Sequence, residues 1–316
     1  MIVAVTGGTG FIGKKLVERL LARGDVVRLV TRRVPPFERT PLLDVRECDL
    51  LTAEVDDLAA MLQGVDVLYH CAGQLTDTRS MKALHVDATR KLIEAASGQV
   101  GRWVQLSSVG VYGPLKKGVV TEASAPNPRG EYETTKSDAD LLLIGAANAG
   151  RISYSILRPS NVYGAGMSNR SLYGLIRMVR RGWFFFIGAP GASANYIHVD
   201  NVVDALLMCG TLPQAAGQTY NLSDHRTIEQ FVTVIAKSVG NEVPRLRVPE
   251  RAIRPLARLL GNLPGVPLTK ARVDALTGRG VYSTSKIEYE LGYTHRVTME
   301  EGLAGLVRFW QENVMK

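Results

Sequence analysis

The sequence predicts an α/β protein: a doubly wound parallel sheet with a smaller, less regular C-terminal part. Three observations carry this. Short aliphatic and β-branched runs alternate with helix-period segments through the first half. A glycine-rich loop joins the first such run to the first helical segment. Beyond about residue 160 the alternation breaks down, and the helical segments become basic.

Taken in order, the strands fall at 2–6, 26–31, 45–48, 65–71, 102–107 and 153–157. Each is short and almost continuously apolar, as parallel strands covered on both faces must be. Helical periods fit 12–22, 53–62, 81–96 and 132–147. Proline and glycine clusters at 35–36, 126–128 and 188–191 punctuate the chain. In the second half, 172–181 reads as a helix with a basic face. The segment 227–239 is amphipathic, with Ile228, Phe231, Val232 and Ile235 on one side. The segment 249–260 is a helix with Arg251, Arg254 and Arg258 along one stripe. The aromatic run Trp183-Phe184-Phe185-Phe186-Ile187 reads as a core strand, the alternative being the wall of an apolar pocket.

The 316 residues leave room for about two domains. No stretch reaches the roughly 18 uncharged apolar residues of a membrane span. The first residues run into the glycine loop without a charged leader, so no signal peptide is expected. Cys48, Cys71 and Cys209 are widely spaced, read as free thiols, and imply a reducing cytoplasm. Five scattered histidines without metal spacing make a metal site unexpected. The net charge is +8, and it is local. Segment 245–279 holds eight basic and two acidic residues, and 159–199 holds four basic residues and no acid. That pattern argues for one or two anion-facing sites rather than a nucleic-acid coat.

Gly7, Gly10 and Gly13, with Phe11 and Ile12 between the last two, form a G-x-x-G-x-x-G loop at a strand-to-helix turn. Such a turn brings backbone N–H groups against a dinucleotide diphosphate at a helix N-terminus. The second strand ends in Thr31, Arg32 and Arg33 instead of the acid that holds an NAD ribose. A hydroxyl and two guanidinium groups suit the 2′-phosphate of NADP, with NAD the alternative. Asp49, followed by Leu50 after the third strand, can accept from the adenine amino group. Cys71, Ala72 and Gly73 close the fourth strand, where the chain passes under the cofactor.

Tyr132 and Lys136 stand at i and i+4, on one helical face. An ammonium beside a phenol favours the phenolate, which predicts a lowered tyrosine pKa. Ser108, 24 residues upstream at a strand end, can polarise the carbonyl that the tyrosine protonates. Two other pairs share the spacing. Tyr112 and Lys116 flank Gly113-Pro114, which breaks a helix, and Tyr282 and Lys286 lack the upstream serine.

On these residues the chain resembles the extended short-chain dehydrogenase/reductases, in their NAD-dependent epimerase/dehydratase branch. The matching stretches are 6–13, 107–113, 132–136, 157–164, 196–202 and 286–293, so the resemblance spans essentially the whole chain. It implies a Rossmann-type domain over 1–160 and 192–225, and a substrate-binding domain over 161–191 and 226–316. It implies that Ser108, Tyr132 and Lys136 are the catalytic triad, and that Lys136 and Pro159 lie against the nicotinamide. A homodimer through helices 81–96 and 132–147 also follows from the resemblance.

Relatives that dehydrate nucleotide sugars carry Asp-Glu directly after the catalytic hydroxyl residue. Val109 and Gly110 stand there, so 4,6-dehydration is not expected. The expected activity is hydride transfer at a secondary alcohol or ketone of a nucleotide sugar, as an epimerase or a 4-ketoreductase. Asn161 occupies the position of an asparagine near the sugar diphosphate, and Arg272 and Arg279 are candidate diphosphate ligands. The arginine such relatives use is Ala194 here, and their usual asparagine after the fourth strand is His85. Two alternatives stay open. One is an NADPH-dependent reductase of an apolar ketone, of hydroxysteroid or dihydroflavonol type. The other is a non-catalytic, NADP-binding peripheral membrane protein that uses the basic stripe of 251–258.

Overall fold

A computed structural model describes residues 1–33, 40–167, 170–260 and 269–314. The proline pair at 35–36 and residues 261–268 of the basic segment lie outside the described residues. The first half contains, in chain order, β1 (Ile2–Thr6), α1 (Phe11–Ala22), β2 (Val26–Thr31), β3 (Leu43–Glu47), α2 (Val55–Leu62) and β4 (Val67–His70). It continues with α3 (Thr78–Lys82), α4 (Ala88–Ala96), β5 (Arg102–Leu106), β6 (Lys117–Val120), α5 (Glu131–Asn148) and β7 (Tyr154–Pro159). The second half opens with β8 (Asn161–Tyr163), α6 (Arg170–Arg180), β9 (Phe186–Ile187), β10 (Ser193–His198), α7 (Val199–Thr211), β11 (Gln218–Leu222) and β12 (Asp224–Thr227). It closes with α8 (Ile228–Ser238), β13 (Arg247–Val248), α9 (Glu250–Leu260), α10 (Lys270–Thr277), β14 (Arg279–Tyr282), α11 (Ser285–Leu291) and α12 (Met299–Asn313).

Seven strands form one parallel sheet in the order β11-β7-β5-β4-β1-β2-β3. The apolar runs place these strands between two helical layers. Leu16, Leu20, Val202 and Leu206 of α1 and α7 cover one face. Leu58, Leu62, Leu92, Ile93 and Leu143 of α2, α4 and α5 cover the other. The growth of the sheet reverses between β1 and β4, and a ligand crevice opens at the carboxyl ends of strands on either side of such a point.

The segment 81–96 is not one helix. It is split between α3 and α4 by a π-helical turn at 83–87. A π turn carries an extra residue per turn and re-aims its side chains. Here it turns His85 inward, 2 % exposed, to bond Thr135 of α5.

The rest of the chain builds a second lobe. A three-stranded sheet, β12-β10-β8, packs under α6, α8 and α12, with Tyr163, Phe231, Leu303 and Trp310 at its centre. The aromatic run is core: Phe184 and Phe186 are buried and meet edge to face with centroids 5.1 Å apart. Ile187 packs on Ile253, Ala257 and Val273 of α9 and α10. Trp183 alone turns out, under the Arg181 guanidinium at 4.9 Å. The run therefore forms no pocket wall, because alternate residues of a strand point to opposite sides and the inward pair is already packed. A parallel pairing of β14 with β6 brings 279–282 back beside 117–120.

Candidate active site

The carboxyl ends of β1, β4, β5 and β7 converge on a cleft of about 430 Å³. It gathers Gly7, Gly10, Phe11, Ile12, Gly13, Cys71, Gly73, Ser108, Tyr132, Lys136, Pro159 and Asn161 from the sequence prediction. The glycine spacing has a steric cause. Gly7 has φ +69°, and a Cβ on it would sit 2.5 Å from the Ala72 nitrogen. A Cβ on Gly13 would meet the Gly7 carbonyl at 2.2 Å. Gly10 begins α1 with no side-chain cap and no acid in the first turn. The first amides of α1 are thus left for a ligand, and the helix dipole favours an anion there. This cradle fits a dinucleotide diphosphate.

Thr31, Arg32, Arg33, Asp49, Leu50 and Ala72 do not line that cleft. Ala72 lies directly beneath Gly7, and Leu50 is buried. β1 and β2 pair Thr6 with Val30, so the turn after β2 stands beside the glycine loop. Its Thr31 hydroxyl donates to the Arg33 carbonyl at 3.1 Å. The hydroxyl therefore shapes the turn, while Arg32 and Arg33 are exposed and carry no carboxylate partner among the described residues. Asp49 accepts the Leu51 N–H at 3.1 Å.

At the other end of the cleft stand Ser108, Tyr132 and Lys136. Ser108 follows β5, begins a short 3₁₀ turn and accepts the Gly110 N–H at 3.0 Å. It lines the cleft together with the Tyr132 phenol. The neighbouring Ser107 is buried and its hydroxyl is committed to Asp140 at 2.8 Å, which leaves the Ser108 hydroxyl as the one able to donate into the cleft. Lys136 is buried and donates to the Leu106 carbonyl at 3.0 Å.

The expected lowering of the tyrosine pKa is corrected by this geometry. The Tyr132 phenol is pushed up to about 12, chiefly by burial, against a smaller downward pull from the Ser108 hydroxyl. Burial in turn lowers Lys136, whose ammonium is engaged by the Leu106 carbonyl. Cys71, which also lines the cleft, is pushed up to about 12 by burial and stays a thiol.

His85 was visible in the sequence only as a departure from the family pattern. Its Nε2 accepts the Gln74 N–H at 2.8 Å, which leaves the proton on Nδ1. Nδ1 then donates to Thr135 Oγ1 at 2.8 Å, and that hydroxyl donates to the Glu131 carbonyl at 2.8 Å. The ring lies edge-on to Tyr132 with centroids 5.7 Å apart. Burial and then the Lys136 charge push His85 down to about 3, so it stays neutral. Behind the triad, Asp140 and Arg158 form a buried ion pair at 2.9 Å. Arg158 also donates to the Tyr112 hydroxyl at 2.8 Å, which donates to Asn221 at 3.0 Å. Tyr112 is thereby structural, and Lys116 is exposed. Lys286 is bound to Gln218 and Thr219 rather than to Tyr282.

A second cleft, of about 580 Å³, opens from Ser108 and Tyr132 on the side away from the glycine loop. Its walls include the apolar Val109, Leu115, Leu175, Ala194, Ile228 and Leu276, the phenols Tyr196 and Tyr282, and the polar Ser160, Ser193 and Asn195. Among the described residues, no lysine or arginine lines it. Its two carboxylates are engaged: Glu133 accepts the Arg129 and Gly130 N–H groups at 2.9 and 3.1 Å, and Asp274 pairs with Arg254 at 2.7 Å. Asn161 lies between the two clefts and donates to the Asn195 carbonyl at 3.2 Å. Arg272 and Arg279 are exposed and do not line the second cleft. Arg279 donates to the Ala189 carbonyl at 3.0 Å. The sequence offered no local signal for these walls, which gather from segments far apart in the chain.

Residues 3–223 match the NAD dependent epimerase/dehydratase family. A ketoreductase of Stigmatella aurantiaca acting on 4-hydroxy-2-methyl-3-oxo-4-farnesyl-3,4-dihydroquinoline-1-oxide is 27 % identical, covering 96 % of this chain and 94 % of its own. A UDP-glucose 4-epimerase of Mycolicibacterium smegmatis is also 27 % identical, covering 98 % of this chain and 99 % of its own. Among solved structures, MoeE5 in complex with UDP-glucose and NAD superposes with a TM-score of 0.75 at 25 % identity, covering 99 % of this chain and 100 % of its own.

Proposed function

The chain belongs to the NAD-dependent epimerase/dehydratase family, and on that premise we propose that it is a reductase of a ketone carried on an uncharged, largely apolar substrate. The observation that carries this reading is the second cleft, where apolar walls meet Ser108 and Tyr132 and no described cation is present. A diphosphate in such a place would lose its hydration without gaining charged donors, which is costly. The farnesyl-bearing substrate named for the Stigmatella relative has the same character.

The loop at Gly7, Gly10 and Gly13 would hold a nicotinamide dinucleotide, which when bound would supply the hydride for this chemistry. Tyr132 supplies the proton. A phenol pushed up to about 12 is protonated near neutrality and so carries the proton that a carbonyl oxygen needs on reduction. Ser108 donates to that oxygen as negative charge develops on it. Lys136 and His85 hold Tyr132 and the floor of the cleft in place. The unpartnered, buried Oδ1 of Asn195, a residue of the second cleft, suits a hydroxyl of the substrate. Val109 and Gly110 provide no acid or base for dehydration, and Glu133 is committed to the start of α5.

Exposed Arg32 and Arg33 support NADPH as the cofactor. Three unpaired cysteines support a reducing compartment such as the cytoplasm. Leu141, 60 % exposed on α5, supports pairing of two copies through α4 and α5. A second reading, a nucleotide-sugar epimerase or 4-ketoreductase, is favoured by a cavity carrying Lys116, Arg254, Arg258 and Lys270. It adjoins the second cleft at Pro114, Leu115 and Asp274.

Initial rates with NADPH on bicyclic apolar ketones, set beside UDP- and dTDP-sugars, test the choice. Turnover of the ketones without thermal stabilisation by the sugars is expected. Stabilisation and turnover with a nucleotide sugar, and none with apolar ketones, would replace the first reading by the second.

A further inference from the structure

We propose that α9 docks on an anionic lipid surface, setting the outer end of the substrate cleft against the membrane interface. The docking stands on α9 itself, and its use in catalysis rests on the apolar-substrate reading above. Among the described residues, no helix is long and apolar enough to cross a membrane, so the contact is peripheral.

The apolar arc of α9 is wider than the part that packs. Ile253 and Ala257, 6 % and 3 % exposed, bury against Ile187 and Val273. Ala252, Pro255, Leu256 and Leu259 stand at i, i+3, i+4 and i+7 and form a second apolar stripe facing outward. Leu256 is 41 % exposed and Leu259 is 77 % exposed. Arg251 and Arg258 flank this stripe, both exposed and with no ion pair among the described residues. The two acidic residues of the segment 245–279, Glu250 and Asp274, both pair with Arg254. Arg247 pairs with Glu229 at 2.7 Å, which leaves the charge beside the stripe to the exposed Arg251 and Arg258. An amphipathic helix with exposed leucines beside arginines is the form that lies in a headgroup layer, gaining from buried apolar area and from anionic lipid together.

Position gives the stripe its use. Arg254 and Arg258 line the cavity that adjoins the second cleft at Pro114 and Leu115, so α9 stands at the cleft's outer end. An apolar ketone held in a bilayer would be presented at that outer end of the cleft.

Co-sedimentation with phosphatidylcholine vesicles, with and without about 30 % phosphatidylglycerol, tests the proposal at low and high salt. Wild-type protein should pellet with the anionic vesicles at low salt, remain in the supernatant with the neutral ones, and release at high salt. Leu256→Gln/Leu259→Gln should lose at least tenfold in binding and Arg251→Glu at least threefold, each keeping the melting temperature and NADPH affinity of the wild type. Wild-type protein that stays in the supernatant with anionic vesicles overturns the proposal, as does undiminished binding by the leucine variant. A concentration-dependent dimer in light scattering that the leucine variant abolishes also overturns it, and assigns the stripe to a second copy. Turnover of a water-soluble ketone should be equal in all variants. Vesicle binding without any ketone turnover would refute the proposed reaction and leave the docking intact.

Discussion

The two clefts that meet at Ser108 and Tyr132 are built in opposite ways. The cofactor side is made of backbone: glycines so crowded that a single Cβ at position 7 or 13 would strike a neighbouring main chain. The side proposed for the substrate is made of side chains from distant segments, apolar and polar together, with no described cation. The first has little freedom to vary, since a diphosphate needs amides at fixed places. The second can change its ligand by changing a wall. The contrast says that the reaction is fixed by the cofactor side and the substrate by the other.

The largest test of that division is Tyr132→Phe, which removes the proton donor and leaves the glycine cradle untouched. Turnover should fall by about 10²–10⁴-fold, with the NADPH dissociation constant within about threefold of wild type. Steady-state rates and fluorescence titration read both, and a variant retaining full turnover would break the assignment.

Next comes acid sensitivity, which should belong to the cofactor side. His70 and His85 lie beneath that cleft, both pushed down to about 3 by burial and then by Lys136. In the unfolded chain each titrates near 6.5. The folded state thus refuses two protons that the unfolded state binds below that value. Their contribution to stability is complete above about pH 6.5 and is lost as pH falls toward 3, at about 2.7 kcal/mol per pH unit for the pair. Denaturant midpoints between about pH 7.5 and 5 should show the slope, and His85→Gln should roughly halve it. Equal slopes in the two proteins would assign the sensitivity elsewhere.

A smaller effect is expected from Gly13→Ala. The added methyl must displace the Gly7 carbonyl, which costs about 1–3 kcal/mol and spoils the cradle. Calorimetry should show weaker cofactor binding together with a lowered melting temperature, and unchanged binding would show the loop to be more yielding than its contacts. The mildest change is Arg32→Ser/Arg33→Ser. It should reduce the preference for NADPH over NADH by about tenfold, near 1.4 kcal/mol, without altering stability. A preference that does not move would take the 2′-phosphate away from this turn.

The same division governs what the sequence disclosed. The glycine loop and the pair Tyr132 and Lys136 are local patterns, and their geometry follows from one turn or one helical face. Ser108 was separable from Ser107 only by its place at the strand end, and the structure gives the physical difference: the Ser107 hydroxyl is spent on Asp140, while that of Ser108 stands in both clefts beside Tyr132. The direction of the tyrosine shift was misread because the spacing to Lys136 says nothing of burial, nor of the Leu106 carbonyl that takes the ammonium. His85 reaches Thr135 across 50 residues, through a π turn that no periodicity announces. Walls such as Leu115, Tyr196 and Tyr282 depend on strands pairing over long distances, as β6 does with β14. Arg272 and Arg279 were candidates by charge and by their place in the basic segment; both are exposed, and neither lines the second cleft.

The chain passes back and forth between the lobes: from β7 into β8 and β10, back through α7 to β11, out again to β12 and α8. It then returns with Ile287 and Leu291 of α11 to the first core before ending in the second with α12. Neither lobe is a continuous stretch that could be copied, exchanged or lost as a block. Exchanging a continuous block would cut through both cores, whereas replacing single wall residues such as Leu175, Ala194 and Leu276 would change the second cleft and leave both lobes whole.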